Sequence, residues 1–199
     1  MLFFVYLKQM MNNKEFQEKE LKILEINKTE IIKKLEAIGA IFDFKKYFRA
    51  IYYNNKHFNL RDIKKTLRLR KEGEKVLLTL KDKTKEDNFV FHKETEVEIS
   101  DFDNLNFILT NLGFYPILDI EKERIQYHII DSDTNIKLTF AIDTYLNDYS
   151  FIPTFLEIES IDFALIFKYI EKIGYNKNND KIKNLNVFEL IELYKNEKK

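Results

Sequence analysis

The 199-residue chain has no cysteine, so it can hold neither a disulfide framework nor a thiolate zinc site. Proline and glycine are scarce, at 2 and 4 residues, and no Pro/Gly/Ser-rich linker divides the sequence. A chain of this length supports one well-buried core, and we read residues 15–199 as a single domain preceded by an N-terminal extension, residues 1–14. Net charge is missing as well: 33 Lys and Arg balance 33 Asp and Glu. No overall field draws the chain to nucleic acid or to an anionic membrane, and any electrostatic function must come from local arrangement. The opening "MLFFVYLKQMMNNK" has no basic residue ahead of its apolar run and no small-residue cleavage site, and the run is too short to cross a bilayer. These features predict a cytoplasmic protein.

What is present is alternation. Apolar and polar residues alternate over 16–26, 44–53, 66–71, 75–83, 91–99, 117–130, 136–143 and 154–161, the signal of half-buried strands. Helical spacing appears between them. Asn27 or Thr29 can cap a helix reaching Ile38 before Gly39, Ser100 or Asp101 one from Phe102 to Leu112, and Asp162 one reaching Ile173; residues 187–194 add a short last helix. Gly73, central in the short link 72–74, predicts a hairpin between its flanking strands. The polar run "YNKNNDKIKN", 175–184, reads as a loop. The pattern predicts an α+β domain, an antiparallel sheet with helices packed outside, and eight strands suffice to close a β-barrel.

The polar faces are not ordinary wet faces. Residues two apart on a strand share a side. Glu18, Glu20 and Lys22 therefore lie together, as do Arg68 with Arg70, Lys81 with Lys83, His92 with Glu94, Glu96 and Glu98, Lys122 with Arg124, and Glu157 with Glu159. A solvated sheet face intersperses signs, because like neighbours on a strand repel. Here cations and carboxylates are segregated by strand. If these faces turn inward, a polyanion relieves the cations and hard divalent cations relieve the carboxylates. Magnesium takes carboxylate and phosphate oxygens together, and arginine grips phosphate through two parallel bonds, so a triphosphate carrying a metal is the natural guest.

The motifs "EKELK", "LRLR", "TLK", the Glu-rich strand, "KER" and "EIE" stand in an order and spacing that resembles the CYTH superfamily, the triphosphate tunnel metalloenzymes. That group includes class IV adenylyl cyclases, thiamine triphosphatases, inorganic triphosphatases and fungal-type RNA triphosphatases. The resemblance covers residues 16–194 and implies an eight-stranded antiparallel tunnel that binds a triphosphate with Mg2+ or Mn2+. By the same resemblance Glu18, Glu20, Glu94, Glu96, Asp143, Glu157 and Glu159 are candidate metal-binding carboxylates. Lys22, Arg68, Arg70, Lys81, Lys122 and Arg124 are candidate phosphate-binding residues, with Lys22 and Lys81 the candidate catalytic cations. Two positions depart from the family pattern: His92 stands where a basic residue is usual, and "IYYNN" replaces a signature of Tyr or Phe followed by Asp and Thr.

The implied partner is ATP, tripolyphosphate or thiamine triphosphate, with no nucleic acid and no membrane; dimers are common among relatives, which makes a homodimer an expectation here. Hydrolysis needs only the grip and a water, whereas cyclisation of ATP to cyclic AMP and pyrophosphate also needs adenine placement, and no base reader stands out. The alternatives are a class IV-type adenylyl cyclase and a non-catalytic module that binds polyphosphate or a nucleotide. His57, His92 and His128 lack metal-ligand spacing, the irregular "KKYFRAIYY" leaves the face of Arg49 open, and the abundant Phe and Tyr read as core.

Overall fold

The computed structural model describes residues 19–86 and 89–196, with side chains for all of these except 83–93. Glu18, the extension 1–14, and the side chains of Lys83 and His92 therefore lie outside the described residues. Among the described residues nine strands form one sheet: β1 (Lys19–Ile23), β2 (Ile41–Asn55), β3 (Lys65–Glu72), β4 (Lys75–Glu86), β5 (Phe89–Ile99), β6 (Phe114–Ile130), β7 (Lys137–Tyr145), β8 (Phe155–Ser160) and β9 (Ile182–Lys183). Their order is β5-β4-β3-β2-β6-β7-β8-β1-β9 and every pairing is antiparallel. All eight expected strands are present. The ninth arises inside the expected loop, where Ile182 and Lys183 pair with Ile23 and Lys22.

The closed barrel is corrected to an open sheet. β5 and β9 are its edges, and no pairing joins them among the described residues. The sheet still curls, since Glu94 of β5 and Glu20 of β1, from opposite ends of the strand order, line one cavity.

Among the described residues four α-helices complete the fold: α1 (Lys28–Ala37), α2 (Phe102–Asn111), α3 (Phe163–Lys172) and α4 (Val187–Asn196). Side chains supply their caps. Asn27 Oδ1 accepts from the backbone N–H of Thr29 and Glu30, Asp101 Oδ1 from Asn104, and Asp162 Oδ1 from Ala164. At α4 a capping box forms: Asn186 Oδ1 accepts from Phe188 and Glu189 N–H, and Glu189 Oε2 accepts from Asn186 N–H at 2.8 Å. Gly73, with φ +63°, makes the β3–β4 turn in a conformation that a side chain would strain.

Strand alternation decides where the core sits. Leu21, Ile125, Phe140, Ile142, Leu156 and Ile158 point to the outer face, where α1 and α3 cover them. Ile51, Tyr53, Leu67 and Leu69 do the same beneath α2. Each such side chain contributes about 1.5–3 kcal/mol on burial, and their opposite neighbours on every strand are thereby turned inward. α4 packs on the inner face instead. Its Leu190, Ile191 and Tyr194 meet Ala50, Leu118, Ile120, Tyr145 and Phe155, which fills one part of the sheet's concavity with apolar packing and leaves the charged part open. No helix among the described residues is long and apolar enough to cross a membrane.

Candidate functional site

The inward faces meet in one cavity of about 810 Å³. Glu20, Lys22, Arg68, Arg70, Lys81, Glu94, Glu96, Lys122, Arg124, Glu157 and Glu159 all line it. Residues spread over β1, β3, β4, β5, β6 and β8 are thus brought together. Asp143 is placed differently: it is 0% exposed and lies under two of the cations, not at the cavity wall. Arg49 faces away and forms a two-pronged ion pair with Asp119 on the outside.

Register explains the electrostatics. On the floor, Arg124 sits opposite Asp143, and Lys22 opposite Glu157. Arg124 donates to both Asp143 oxygens at 2.7 and 2.6 Å and to Glu157 at 2.8 Å. Lys122 donates to Asp143 at 2.6 Å, and Lys22 bridges Glu157 at 2.9 Å and Glu20 at 2.7 Å. A chain of alternating sign results: Lys122, Asp143, Arg124, Glu157, Lys22, Glu20. Like charges that share a strand are therefore relieved by the strands beside them, a compensation that reading each strand alone does not reveal.

The wall carries the second group. Thr79 donates to Glu96 at 2.8 Å, Arg70 pairs with Glu72 at 2.6 Å, and Lys81 pairs with Glu94. Two donors remain unanswered: Arg68 Nε and Arg70 Nε are buried and have no hydrogen-bond partner. A buried guanidinium N–H without an acceptor is costly, and an anion is the kind of group that would answer it. Phe48, buried on the same side, presents its ring to three cations, at 5.8 Å from the Arg70 and Arg124 guanidinium carbons and 6.0 Å from Lys122 Nζ. Phe48, Tyr52, Gln126 and Tyr145 also line the cavity; sequence reading took the Phe and Tyr residues as core and left Gln126 unassigned. Their spacing on the inward faces of β2, β6 and β7 was the available signal.

The ionisation balance follows the same geometry. Burial would lower the Lys22 ammonium, but the Glu157 and Glu20 carboxylates outweigh it and hold its pKa well above the lysine range. Burial would raise the Glu157 carboxyl, yet Lys22, Arg124 and Lys122 keep it well below the usual carboxylate range. Lys122 goes the other way. Burial first, and then the adjacent Arg124, push it down to about 8 against the pull of Asp143. Arg70 is likewise lowered by burial and by Arg68. Lys122 and Arg70 are thus cations whose charged form burial disfavours although each has a carboxylate at 2.6 Å.

One carboxylate pair suits a metal. Glu20 and Glu159 are direct cross-strand partners and both line the cavity. Opposed like charges destabilise a strand pair unless a cation lies between them, and two carboxylates are the number with which Mg2+ binds when phosphate oxygens and waters supply the rest. No group of three or more His, Asp or Glu is placed to share a metal among the described residues. His128 Nδ1 lies 2.5 Å from Asp43 Oδ1.

Solved structures share this architecture. The PH1012 protein of Pyrococcus horikoshii OT3 superimposes with a TM-score of 0.68 at 24% identity, over 88% of this chain and 98% of that one. A candidate adenylate cyclase of Vibrio parahaemolyticus gives 0.65 at 16% identity, over 88% and 98%. The Hippeastrum protein HpAC1 gives 0.58 at 15%, over 82% and 91%. At these identities the likeness is one of fold. No curated protein sequence matches the chain. The family model for the CYTH domain matches residues 17–183, a span that contains all nine strands, and the chain belongs to that family.

Proposed function

We propose that this protein is a metal-dependent triphosphatase, which binds a nucleoside or inorganic triphosphate in the charged cavity and hydrolyses it. The observation that carries the reading is the pair of buried, unpartnered Nε–H groups on Arg68 and Arg70, within a wall whose other charges are already paired. A phosphate oxygen answers both donors, and its negative charge relieves the lowered cations Arg70 and Lys122. The Hippeastrum relative, whose structure is described with a dominant triphosphatase activity, supports hydrolysis over cyclisation.

In this reading Arg68, Arg70, Lys81, Lys122 and Arg124 hold the phosphates, and Asp143 and Glu157 hold Arg124 and Lys122 in position. Glu20 and Glu159 would hold Mg2+ or Mn2+, with Glu18 a further carboxylate candidate and Glu94 and Glu96 ordering the cations of the wall. The metal supplies charge neutralisation on the phosphate oxygens. Water attacks the terminal phosphorus, the bridging P–O bond breaks, and its electron pair leaves on the diphosphate. Lys22 and Lys81 stabilise the charge gathering on the departing oxygen.

The test incubates purified protein with ATP, tripolyphosphate and thiamine triphosphate, each with Mg2+ or Mn2+, and resolves the products. Orthophosphate is expected; cyclic AMP with pyrophosphate would overturn the proposal in favour of a cyclase, and binding without turnover in favour of a non-catalytic module. Arg68→Ala removes one charge-assisted grip and is expected to weaken tripolyphosphate binding about 10–100-fold by calorimetry, while unchanged affinity would remove Arg68 from the site. Lys122 sets a pH dependence. Its free-state pKa lies near 8, and a neighbouring anion raises it on binding. The favourable charge is therefore fully present below about pH 8 and is lost as pH rises beyond it, so affinity falls from pH 8 to pH 10. In Lys122→Arg, which stays charged, that fall should disappear; a parallel fall in both proteins would assign it to another group.

A further inference from the structure

Two cavity-lining cations take no part in the network above. Arg61 and Lys64 belong to the segment joining β2 to β3, and both are exposed at the cavity's edge. Among the described residues neither has a carboxylate partner, in contrast to Lys65, which pairs with Asp82. The segment is held firmly by asparagine side chains. Asn54 Oδ1 accepts from Leu60 N–H at 2.9 Å, Asn55 Oδ1 from His57 N–H at 2.9 Å, and Asn59 Oδ1 from Arg61 N–H at 3.1 Å.

Lys64 is in the left-handed region, with φ +58°, where a non-glycine residue is strained. Its N–H donates to Arg61 O at 2.9 Å, and Lys65 N–H to Leu60 O at 2.8 Å, which braces the backbone that carries both side chains at the rim. Thr66 and Arg68 follow along the cavity-lining edge of β3. At ~3.3 Å per residue, Lys64 stands about 13 Å along the chain from Arg68, beyond the paired cations of the wall.

The adjoining ring indicates what these cations meet. Phe188 is covered by the Arg61 guanidinium at 3.9 Å and met edge-on by Tyr52 at 5.4 Å, so it leaves little ring for a nucleobase to stack upon. Glu189 and Glu192 of α4 line the same cavity but form no ion pair with either cation, and positive charge on a braced backbone with no open aromatic face suits a further phosphoryl group. Resting on the triphosphate reading above, we propose that Arg61 and Lys64 form an additional phosphate subsite and that the cavity takes linear inorganic polyphosphate longer than three phosphoryl groups, the fourth phosphate sitting at the β2–β3 rim.

The test compares tripolyphosphate with tetrapolyphosphate by calorimetry in EDTA, where neither is turned over, for the wild type and for Arg61→Gln/Lys64→Asn. Asparagine tolerates the left-handed backbone, so the second change removes charge without adding strain. Wild type should bind tetrapolyphosphate about fivefold more tightly than tripolyphosphate, the yield of one or two exposed charge-assisted contacts. The double variant should lose that preference while its tripolyphosphate affinity stays unchanged. Equal affinities in wild type, or a loss for both ions alike, would overturn the subsite. Should a melting curve show that loss of Arg61 loosens α4, Lys64→Asn alone carries the comparison and should reduce the preference. Failure of wild type to bind tripolyphosphate at all is a distinct outcome, and it overturns the triphosphate reading itself.

Discussion

Asp143→Ala is expected to lower the unfolding free energy by about 3–5 kcal/mol, the cost of leaving buried cations without their counter-charge. Asp143 is 0% exposed, and it takes two bonds from Arg124 and one from Lys122. Its removal leaves Arg124 leaning on Glu157 alone, and Lys122, already pushed down to about 8, readier to give up its proton. A domain has in total about 5–15 kcal/mol of stability, so the loss is a large share of it and should appear as a reduced midpoint in urea. Asp143→Asn keeps the shape but only one acceptor, with an NH2 donor turned on the remaining cation donors, and should show most of the same loss. An unchanged midpoint for Asp143→Ala would mean that Arg124 and Lys122 are not held as the geometry indicates. Because these two cations lie on the cavity floor, whatever of the variant still folds should also grip tripolyphosphate poorly.

Glu20→Gln is expected to have the opposite profile, a loss of metal-dependent turnover of about 100-fold or more with little change in stability. Outer-shell partners of a metal typically cost 10–100-fold, so a residue proposed to touch the ion should cost at least the upper figure. The side chain is 31% exposed, and Lys22 keeps its second partner, Glu157, when Glu20 is neutralised. Stability should therefore move by no more than about 0.5 kcal/mol. Glu157→Gln is the poorer probe, since Glu157 answers both Lys22 and Arg124 and its loss mixes folding with chemistry. Raising the metal concentration should recover part of the Glu20→Gln activity. Full activity at ordinary metal concentration would exclude Glu20 from metal binding.

Much of the site was legible from spacing because a strand has a period of two. Once Leu21 and Ile23 belong to the core, Glu20 and Lys22 must face the other way, and the same logic turns Arg68, Arg70, Lys122, Arg124, Glu157 and Glu159 inward. Helix starts were legible for a similarly local reason: Asn27, Asp101 and Asp162 each satisfy N–H groups within a few residues. Asp143 was the instructive exception. It shares the inward face of β7 with Tyr145, but its depth depends on Lys122 and Arg124 from the neighbouring strand closing over it, and no property of β7 alone reports that. The position of α4 was also hidden. Its apolar stripe required a partner surface, but nothing local chose the inner face over the outer one.

Alternation and capping, written into consecutive residues, determined eight of the strands, the four helices and which side of each strand carries charge, while the ordered motifs carried the resemblance to the family. Tertiary structure alone decided which cation meets which carboxylate, that among the described residues the sheet stays open between β5 and β9, and that two arginine donors are buried without a partner. The reason is that a side chain's direction depends on its own backbone, whereas its counter-charge comes from a strand distant in sequence, as Lys22 finds Glu157 and Arg124 finds Asp143 only through the register of the folded sheet.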